Sequence, residues 1–293
     1  MNNKHLTVYW GEELGRYGFG EDHPLGQDRL AAFRVAAISA GIDLSAEIAA
    51  PVACNVIDLI LFHEPEYVQR VEEQSTIGKG YLDCGDTPAY PGIYDAGRFV
   101  VGTGLAAINR IMKHDWHHAF VPIGGLHHAR RNGAAGFSVF NDCGIMIEAL
   151  RRRFGIVRLA YVDIDAHHGD GVYYAFEEDP DLAIADIHED GRYLYPGTGA
   201  ANEEGKGIAR GTKLNIPLAP GSNDRDFFRA WSQVEALVAP DSPARHWVPD
   251  DTLPANWNQS GYDDSSWADG MAAVGYNTSF GPVLGGGSGF HTA

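Results

Sequence analysis

Over its first 239 positions the chain alternates short apolar runs with amphipathic stretches. Ala119-Phe120-Val121-Pro122-Ile123 and Leu159-Ala160-Tyr161-Val162 have strand length and read as buried strands, each closing in Gly, Asp or His. Ala183-Ile184-Ala185-Asp186-Ile187 and Leu214-Asn215-Ile216-Pro217 repeat the pattern. Between these runs, 97–112 and 141–154 carry apolar residues at helical spacing. The second of these opens on Asn141-Asp142, side chains that cap a helix N-terminus, and closes in Arg151-Arg152-Arg153, which suits the negative end of a helix dipole. Strands alternating with helices predict an α/β fold: an open, mostly parallel sheet with helices on both faces. Ligands of such sheets sit beyond the carboxyl ends of the strands, so the residues just past each apolar run are the candidates for chemistry.

The pattern stops near residue 240. Residues 240–293 contain no Lys, Glu or Ile, a single Arg, six Asp and three of the six tryptophans. Trp247, Trp257 and Trp267 recur every ten residues among Asp, Ser, Asn, Gly and Pro, the composition of turns and β material. The segment from Trp257 to Trp267 resembles a fragment of a β-sandwich module, and the 54 residues are too few for a whole one. Two units are therefore expected, an α/β domain over 1–239 and an atypical Trp/Asp/Gly-rich segment over 240–293.

Composition narrows the function. With 22 Lys+Arg against 39 Asp+Glu the formal charge is −17, which argues against nucleic acid or an anionic membrane surface as a partner. No run approaches the ~18 apolar residues of a membrane span, and the start of the chain has no apolar segment of the secretory-leader kind. Cys54, Cys84 and Cys143 stand far apart with no CxxC pair, as expected of reduced thiols in a cytoplasmic protein. No pattern announces an oligomeric state.

The chemistry concentrates at two strand ends. In Asp163-Ile164-Asp165-Ala166-His167-His168-Gly169-Asp170 an apolar strand runs into three carboxylates and two imidazoles. Asp165 and His167 are two apart, so extended backbone points both to one side, and a carboxylate with an imidazole suits a zinc-like divalent ion. Asp163 lies on the same side, placed to orient another group. Strand-end aspartates that merely cap the next helix are the alternative, but so many ionisable groups at a strand tip need partners. The second end is Gly124-Gly125-Leu126-His127-His128-Ala129, whose adjacent imidazoles can each hold a proton. Asp163 and Asp170 are natural partners that would fix their tautomers and raise their basicity. Asp115-Trp116-His117-His118-Ala119 carries the same triplet upstream of its strand. At about 3.3 Å per residue the two pairs should lie roughly 20 Å or more apart, which makes His117 and His118 surface residues.

On these blocks residues 5 to about 238 resemble the histone deacetylase superfamily, in the bacterial branch that includes acetoin-utilisation proteins and acetylpolyamine amidohydrolases. Further matching segments are Phe19-Gly20-Glu21-Asp22-His23-Pro24, His63-Glu64-Pro65-Glu66-Tyr67, Asp86-Thr87-Pro88, the stretch from Gly136 to Asp142, and the stretch from His188 to Gly199. The resemblance implies an arginase-like α/β fold and zinc-dependent removal of an acetyl group from acetyl-lysine or an acetylated polyamine. It assigns Asp165 and His167 to the zinc, and His127 and His128 to proton transfer with Asp163 and Asp170 as their partners. Gly136, Phe137 and Tyr195 then belong to an acyl tunnel, and Asp86 to its rim, bonding the substrate backbone. Asp186 falls where the family has a small hydroxyl residue beside a structural potassium ion. Two family elements would follow residue 240, a second zinc aspartate and a tyrosine in a Gly-Gly-Tyr loop. Asp250, Asp251, Asp263 and Asp264 lack the apolar strand that would aim a ligand. Gly275-Tyr276-Asn277 and the glycine run ending in Phe290 are imperfect echoes of the loop. The domain over 1–239 is thus an incomplete deacetylase-like unit, and the third zinc ligand is not identified. Two other readings stay open: an inactive deacetylase-like protein, and a binuclear metallohydrolase of the arginase type, whose metal motifs Asp163-Ile164-Asp165-Ala166-His167 echoes.

Overall fold

The computed structural model of the chain describes residues 6–20, 23–113 and 118–237. Glu21, Asp22, the triplet Asp115-Trp116-His117 and the whole segment 240–293, with the domain boundary expected near 240, lie outside the described residues. The elements follow in the order β1 (Leu6–Tyr9), α1 (Glu12–Gly15), α2 (Arg29–Ser39), α3 (Ile42–Ser45), β2 (Glu47–Ala49), α4 (Val56–Leu59), α5 (Pro65–Ile77), α6 (Ile93–Met112) and β3 (His118–Phe120). Then come α7 (Asp142–Phe154), β4 (Leu159–Asp163), α8 (Asp170–Phe176), β5 (Leu182–Glu189), β6 (Lys213–Leu218) and α9 (Asp224–Leu237).

Every strand pair among the described residues is parallel, as the alternation of strands and helices predicts. These strands form two three-stranded sheets, ordered β2-β1-β3 and β4-β5-β6. The register of the second sheet sets Asp163 of β4 beside Asp186 of β5, and Asp186 beside Asn215 of β6, a polar row near the carboxyl ends. Strand β3 is shorter than the apolar run that announces it. Pro122 has no N–H to give a ladder, and the chain leaves the sheet after Phe120. Helix α6 begins a turn earlier than its periodicity suggests, because Gly92 at φ 94° starts it and Ile93 and Tyr94 are buried in its first turn.

Helix α7 shows the local logic most fully. The Asn141 side chain accepts the Gly144 N–H at 2.8 Å. Ile145, Met146, Ile147 and Ala149 form its buried face, and Gly155 at φ 69° ends it in the left-handed region that glycine tolerates. Arg151 and Arg153 pair with Asp179 and Asp58, tying the helix end to its surroundings. A large apolar core around α6 and α7 includes Val100, Ile108, Phe140 and Ile145. Ala185, Ile187, Ile216, Ala230 and Val234 form a second cluster between the second sheet and α9. The loop after β3 is itself anchored in the first core through Val121, Ile123 and Leu126.

Candidate active site

The loop after β3 and the end of β4 bring the two histidine blocks together. His127 Nδ1 lies 2.7 Å from Asp163 Oδ2, and His128 Nδ1 lies 2.7 Å from Asp170 Oδ1. The two Nε2 atoms face each other at 3.1 Å, and both residues are buried (4% and 5% exposed). By contrast His118 is exposed at the start of β3, and its neighbour His117 lies outside the described residues.

Each partner is itself held. Asp163 Oδ2 also accepts the Tyr161 hydroxyl at 2.6 Å, and its Oδ1 accepts the Asp165 N–H at 3.0 Å. Asp142 accepts the N–H groups of Gly125 and Leu126 at 3.0 and 2.7 Å and so shapes the turn before His127. The Asn141 amide donates to the carbonyls of His127 and Ala129, while its own N–H is accepted by His63 Nε2 at 2.9 Å. Sequence reasoning treats Asn141 and Asp142 only as a helix cap and misses this second task. Their position at the end of the Gly136–Asp142 motif is the signal that could have found it.

Electrostatics separate the two imidazoles. Burial works against charge on His127, but the Asp163 carboxylate outweighs it and raises the pKa to about 10. His128 is pushed down to about 4, by burial first and then by the charge on His127. The arrangement therefore holds one positive charge: His127 carries both protons and donates from Nε2 to His128, and His128 is neutral with its Nδ1–H donated to Asp170.

Asp165 and His167 also meet. Asp165 Oδ1 accepts the His167 N–H at 2.8 Å and lies 3.0 Å from His167 Nδ1 and 4.0 Å from His127 Nε2. The Asp165 carboxylate is buried, whereas about a third of the His167 side chain is open to solvent (36% exposed). A hard oxygen and an imidazole nitrogen in contact match in type the donors of zinc. Among the described residues, no group of three or more His, Cys, Asp or Glu side chains is poised to hold a metal ion. The carboxylates after residue 240 that could extend the pair lie outside the described residues.

The aromatic positions border this cleft. Tyr195 places its ring 5.1 Å from His128 and 6.3 Å from His167. Gly136, at φ 52°, has to be glycine twice over: a Cβ there would lie 2.5 Å from the His128 ring and 2.8 Å from the Tyr195 ring. Phe137 packs on His23 at 4.3 Å and adopts φ 65°, a left-handed conformation that L-residues resist. Thr87 Oγ1 accepts its N–H at 3.1 Å, and the Tyr17 hydroxyl donates to its carbonyl at 2.8 Å. Tyr17 is a further residue here that the sequence does not mark, and Thr87 lies in the Asp86-Thr87-Pro88 motif without a role read for it. Asp86 is exposed in the Asp83–Thr87 turn that reaches Phe137 through Thr87. Partial burial and the adjacent Asp83 raise its carboxyl to about 6.

Asp186 differs from a potassium-site residue. Its Oδ2 accepts the Gly169 N–H at 2.9 Å and its Oδ1 faces His188 Nδ1 at 2.6 Å, so each oxygen has a partner, while burial and the neighbouring Asp163 raise its carboxyl to about 6. A carboxylate already engaged by the chain's own groups thus stands where the resemblance implies a small hydroxyl residue.

A histone deacetylase domain matches residues 23–243. The acetoin utilization protein AcuC of Bacillus subtilis is 36% identical over 241 residues, which cover 77% of this chain and 61% of that protein. The AcuC of Staphylococcus xylosus is 32% identical over 251 residues, covering 83% of this chain and 65% of its own length. The chain thus spans less than two thirds of the curated relatives it matches. Among solved structures, a histone deacetylase homolog from Aquifex aeolicus superposes with a TM-score of 0.71 at 27% identity, covering 82% of this chain and 67% of that one. A histone deacetylase homolog complexed with SAHA gives 0.71 at 28% identity, covering 80% and 65%. With its strand-end histidines, its parallel strands and a domain match over most of its length, the chain belongs to the histone deacetylase family, in the acetoin-utilisation branch.

Proposed function

We propose that this protein is a zinc-dependent amide hydrolase that removes the acetyl group from an acetylated amine, either acetyl-lysine or an acetylated polyamine. The observation that carries the reading is the pair of carboxylate-backed imidazoles in Nε2-to-Nε2 contact beside Asp165 and His167. Asp165 and His167 would hold the ion, which when bound would supply Lewis-acid activation of water and of the acetyl carbonyl. His128, neutral at physiological pH, accepts a proton from water, and His127, doubly protonated, supplies one toward the departing amine nitrogen. Asp163 and Asp170 engage the two Nδ1 atoms, which leaves the Nε2 atoms, facing each other at 3.1 Å, as the positions where protons are exchanged. Phe137 and Tyr195 flank the aliphatic part of the substrate and exclude water, and Asp86 at the rim accepts hydrogen bonds from its polar end. Cys54, Cys84 and Cys143 are unpaired, which supports a reducing, cytoplasmic setting. Among the described residues no helix is long and apolar enough to cross a membrane.

The donor set favours one second reading, a ligand-binding protein without turnover, since the described residues bring two zinc donors together and not three. Metal analysis of the purified chain and assays on an acetyl-lysine peptide and an acetylpolyamine separate the two. About one zinc per chain with turnover of either substrate is the expected result; a zinc-loaded chain that hydrolyses neither overturns the proposal.

A further inference from the structure

Two side chains on β5 reach both loops of the cleft without entering it. Asp186 and His188 are two apart on a strand and therefore share a face. Both side chains are buried, at 1% and 0% exposure. Asp186 Oδ1 meets His188 Nδ1 at 2.6 Å, and Asp186 Oδ2 accepts the Gly169 N–H at 2.9 Å. The other imidazole nitrogen, His188 Nε2, lies 2.9 Å from the Gly199 carbonyl oxygen. Each ring nitrogen thus faces an acceptor, and only the doubly protonated imidazole can donate to both. Burial opposes that charge, and the bond to Asp186 restores it, leaving His188 raised above its ordinary pKa.

The groups around the pair are consistent with a charged His188. Asp163 faces it from β4. The ring of His168, kept neutral by burial and by the charge on His188, lies 4.9 Å away. β6 contributes the uncharged Asn215. Glu203, in the loop after Tyr195, accepts the N–H groups of Gly199 and Ala200 and faces His168.

What the two anchored glycines carry gives the pair its meaning. Gly169 follows the His167-bearing loop and precedes Asp170. A Cβ built on it would lie 2.6 Å from Asp163 Oδ2 and 3.1 Å from His127 Nδ1, so its backbone packs directly on the His127–Asp163 hydrogen bond. Gly199 ends the loop that carries Tyr195, and its neighbour Thr198 bonds His168 Nδ1 at 2.8 Å. One ion pair on one strand therefore holds the proton-transfer side through Gly169 and the aromatic side through Gly199.

We infer that Asp186 and His188 are positioning residues: Asp186 sets the loop that supports the His127–Asp163 bond, and His188 sets the Tyr195 loop against it. A buried ion pair adds little net stability on average, so its value here lies in geometry, which is where the test must look. The kinetic arm rests on the proposed deacetylase reading; the spectroscopic arm does not.

The test uses the full chain, with His188→Gln, Asp186→Asn and Asp186→Ala. In the wild type, imidazole 15N shifts should show His188 keeping its second proton to higher pH than a free imidazole; a His188 that loses it earlier overturns the inference. In His188→Gln the amide resonances of 195–199 should move while those of 168–170 stay. In Asp186→Ala those of 168–170 should move as well. With acetylated amine as substrate, His188→Gln should raise KM about tenfold with kcat within about threefold, and Asp186→Ala should lower kcat at least about tenfold. Asp186→Asn, which keeps an oxygen for Gly169, should recover most of that kcat. Variants that lose only stability, or move both loops and both kinetic constants alike, overturn the inference. Should Asp186→Ala fail to fold, the wild-type 15N shifts together with His188→Gln decide it. A wild type without turnover defeats the deacetylase reading and leaves the spectroscopic arm to settle the positioning role.

Discussion

Replacing Tyr17 by Phe removes one oxygen atom and tests how the aromatic wall is held. The Tyr17 side chain is buried (2% exposed), and burial pushes its pKa well above the ordinary phenol value, so the hydroxyl is a hydrogen-bond donor throughout the stable pH range. It donates to the Phe137 carbonyl at 2.8 Å and accepts the Val139 N–H at 2.9 Å. Phenylalanine fills the same space, so no cavity term enters. Val139 is fully buried, and its N–H loses its partner outright, at a cost of about 1–3 kcal/mol. Phe137 is half-buried, so its carbonyl can turn to water and loses only the net worth of one bond, about 0.5–1.5 kcal/mol. Together the loss is about 1.5–4.5 kcal/mol, read from urea melts with unchanged slope. A second effect comes from φ 65° at Phe137, a conformation costing roughly 1–2 kcal/mol for an L-residue. With the Tyr17 bond gone, that strain favours release of the ring from the wall, against the Thr87 bond at 3.1 Å, the Ala135–Ser138 bridge and the packing on His23. KM for an acetylated amine should therefore rise while kcat holds, because the Tyr17 hydroxyl bonds neither His127 nor His128. A Tyr17→Phe protein within about 0.5 kcal/mol of wild type, the range of ordinary surface substitutions, refutes the reasoning.

Three further outcomes can be checked with the same protein. His128→Ala should cut turnover by about 10²–10⁴, the usual worth of a positioned general base, and wild-type activity in that variant excludes the mechanism. Asp165→Asn and His167→Gln should each weaken zinc retention in equilibrium dialysis by more than the ~10–100-fold that even outer partners of a metal are worth; unchanged retention places the ion elsewhere. His63 is held at about 3 by burial, partly offset by hydrogen bonds to backbone carbonyls, against an ordinary 6.5. A folded-state pKa below the unfolded one means the unfolded chain binds the proton first. The contribution of His63 is thus complete above pH 6.5 and is lost as pH falls toward 3, by at most about 4–5 kcal/mol. His63→Gln should flatten the stability profile in that window, and identical profiles would show that His63 is not neutral in the folded state.

Why part of this architecture is readable along the chain and part is not comes down to how far each interaction reaches. Helix α7 is visible because its cap, its apolar face and its terminal arginines all lie within or beside its own 13 residues. The strand ends at Asp163 and His127 are visible because ionisable groups following an apolar run are costly without a purpose. Strands β1 and β2, of four and three residues, escape notice, since so short a run shows no period. The helices α2, α5 and α9 are likewise absent from the sequence reading. The residues that hold the site escape for another reason. Tyr17 meets Phe137 across 120 positions, and although His63 and Thr87 lie in motifs the sequence does mark, their contacts with Asn141 and Phe137 span 78 and 50 positions. No local pattern marks a tyrosine whose hydroxyl spans two backbone groups. Asp186 shows the same limit inside a recognised motif. Its carboxylate stands out as a departure from a hydroxyl residue, but only the strand geometry, with His188 two residues on and Gly169 opposite, shows what that carboxylate binds. In this chain the reactive groups are written where the strands end, and the groups that aim them are written wherever the fold returns to those ends.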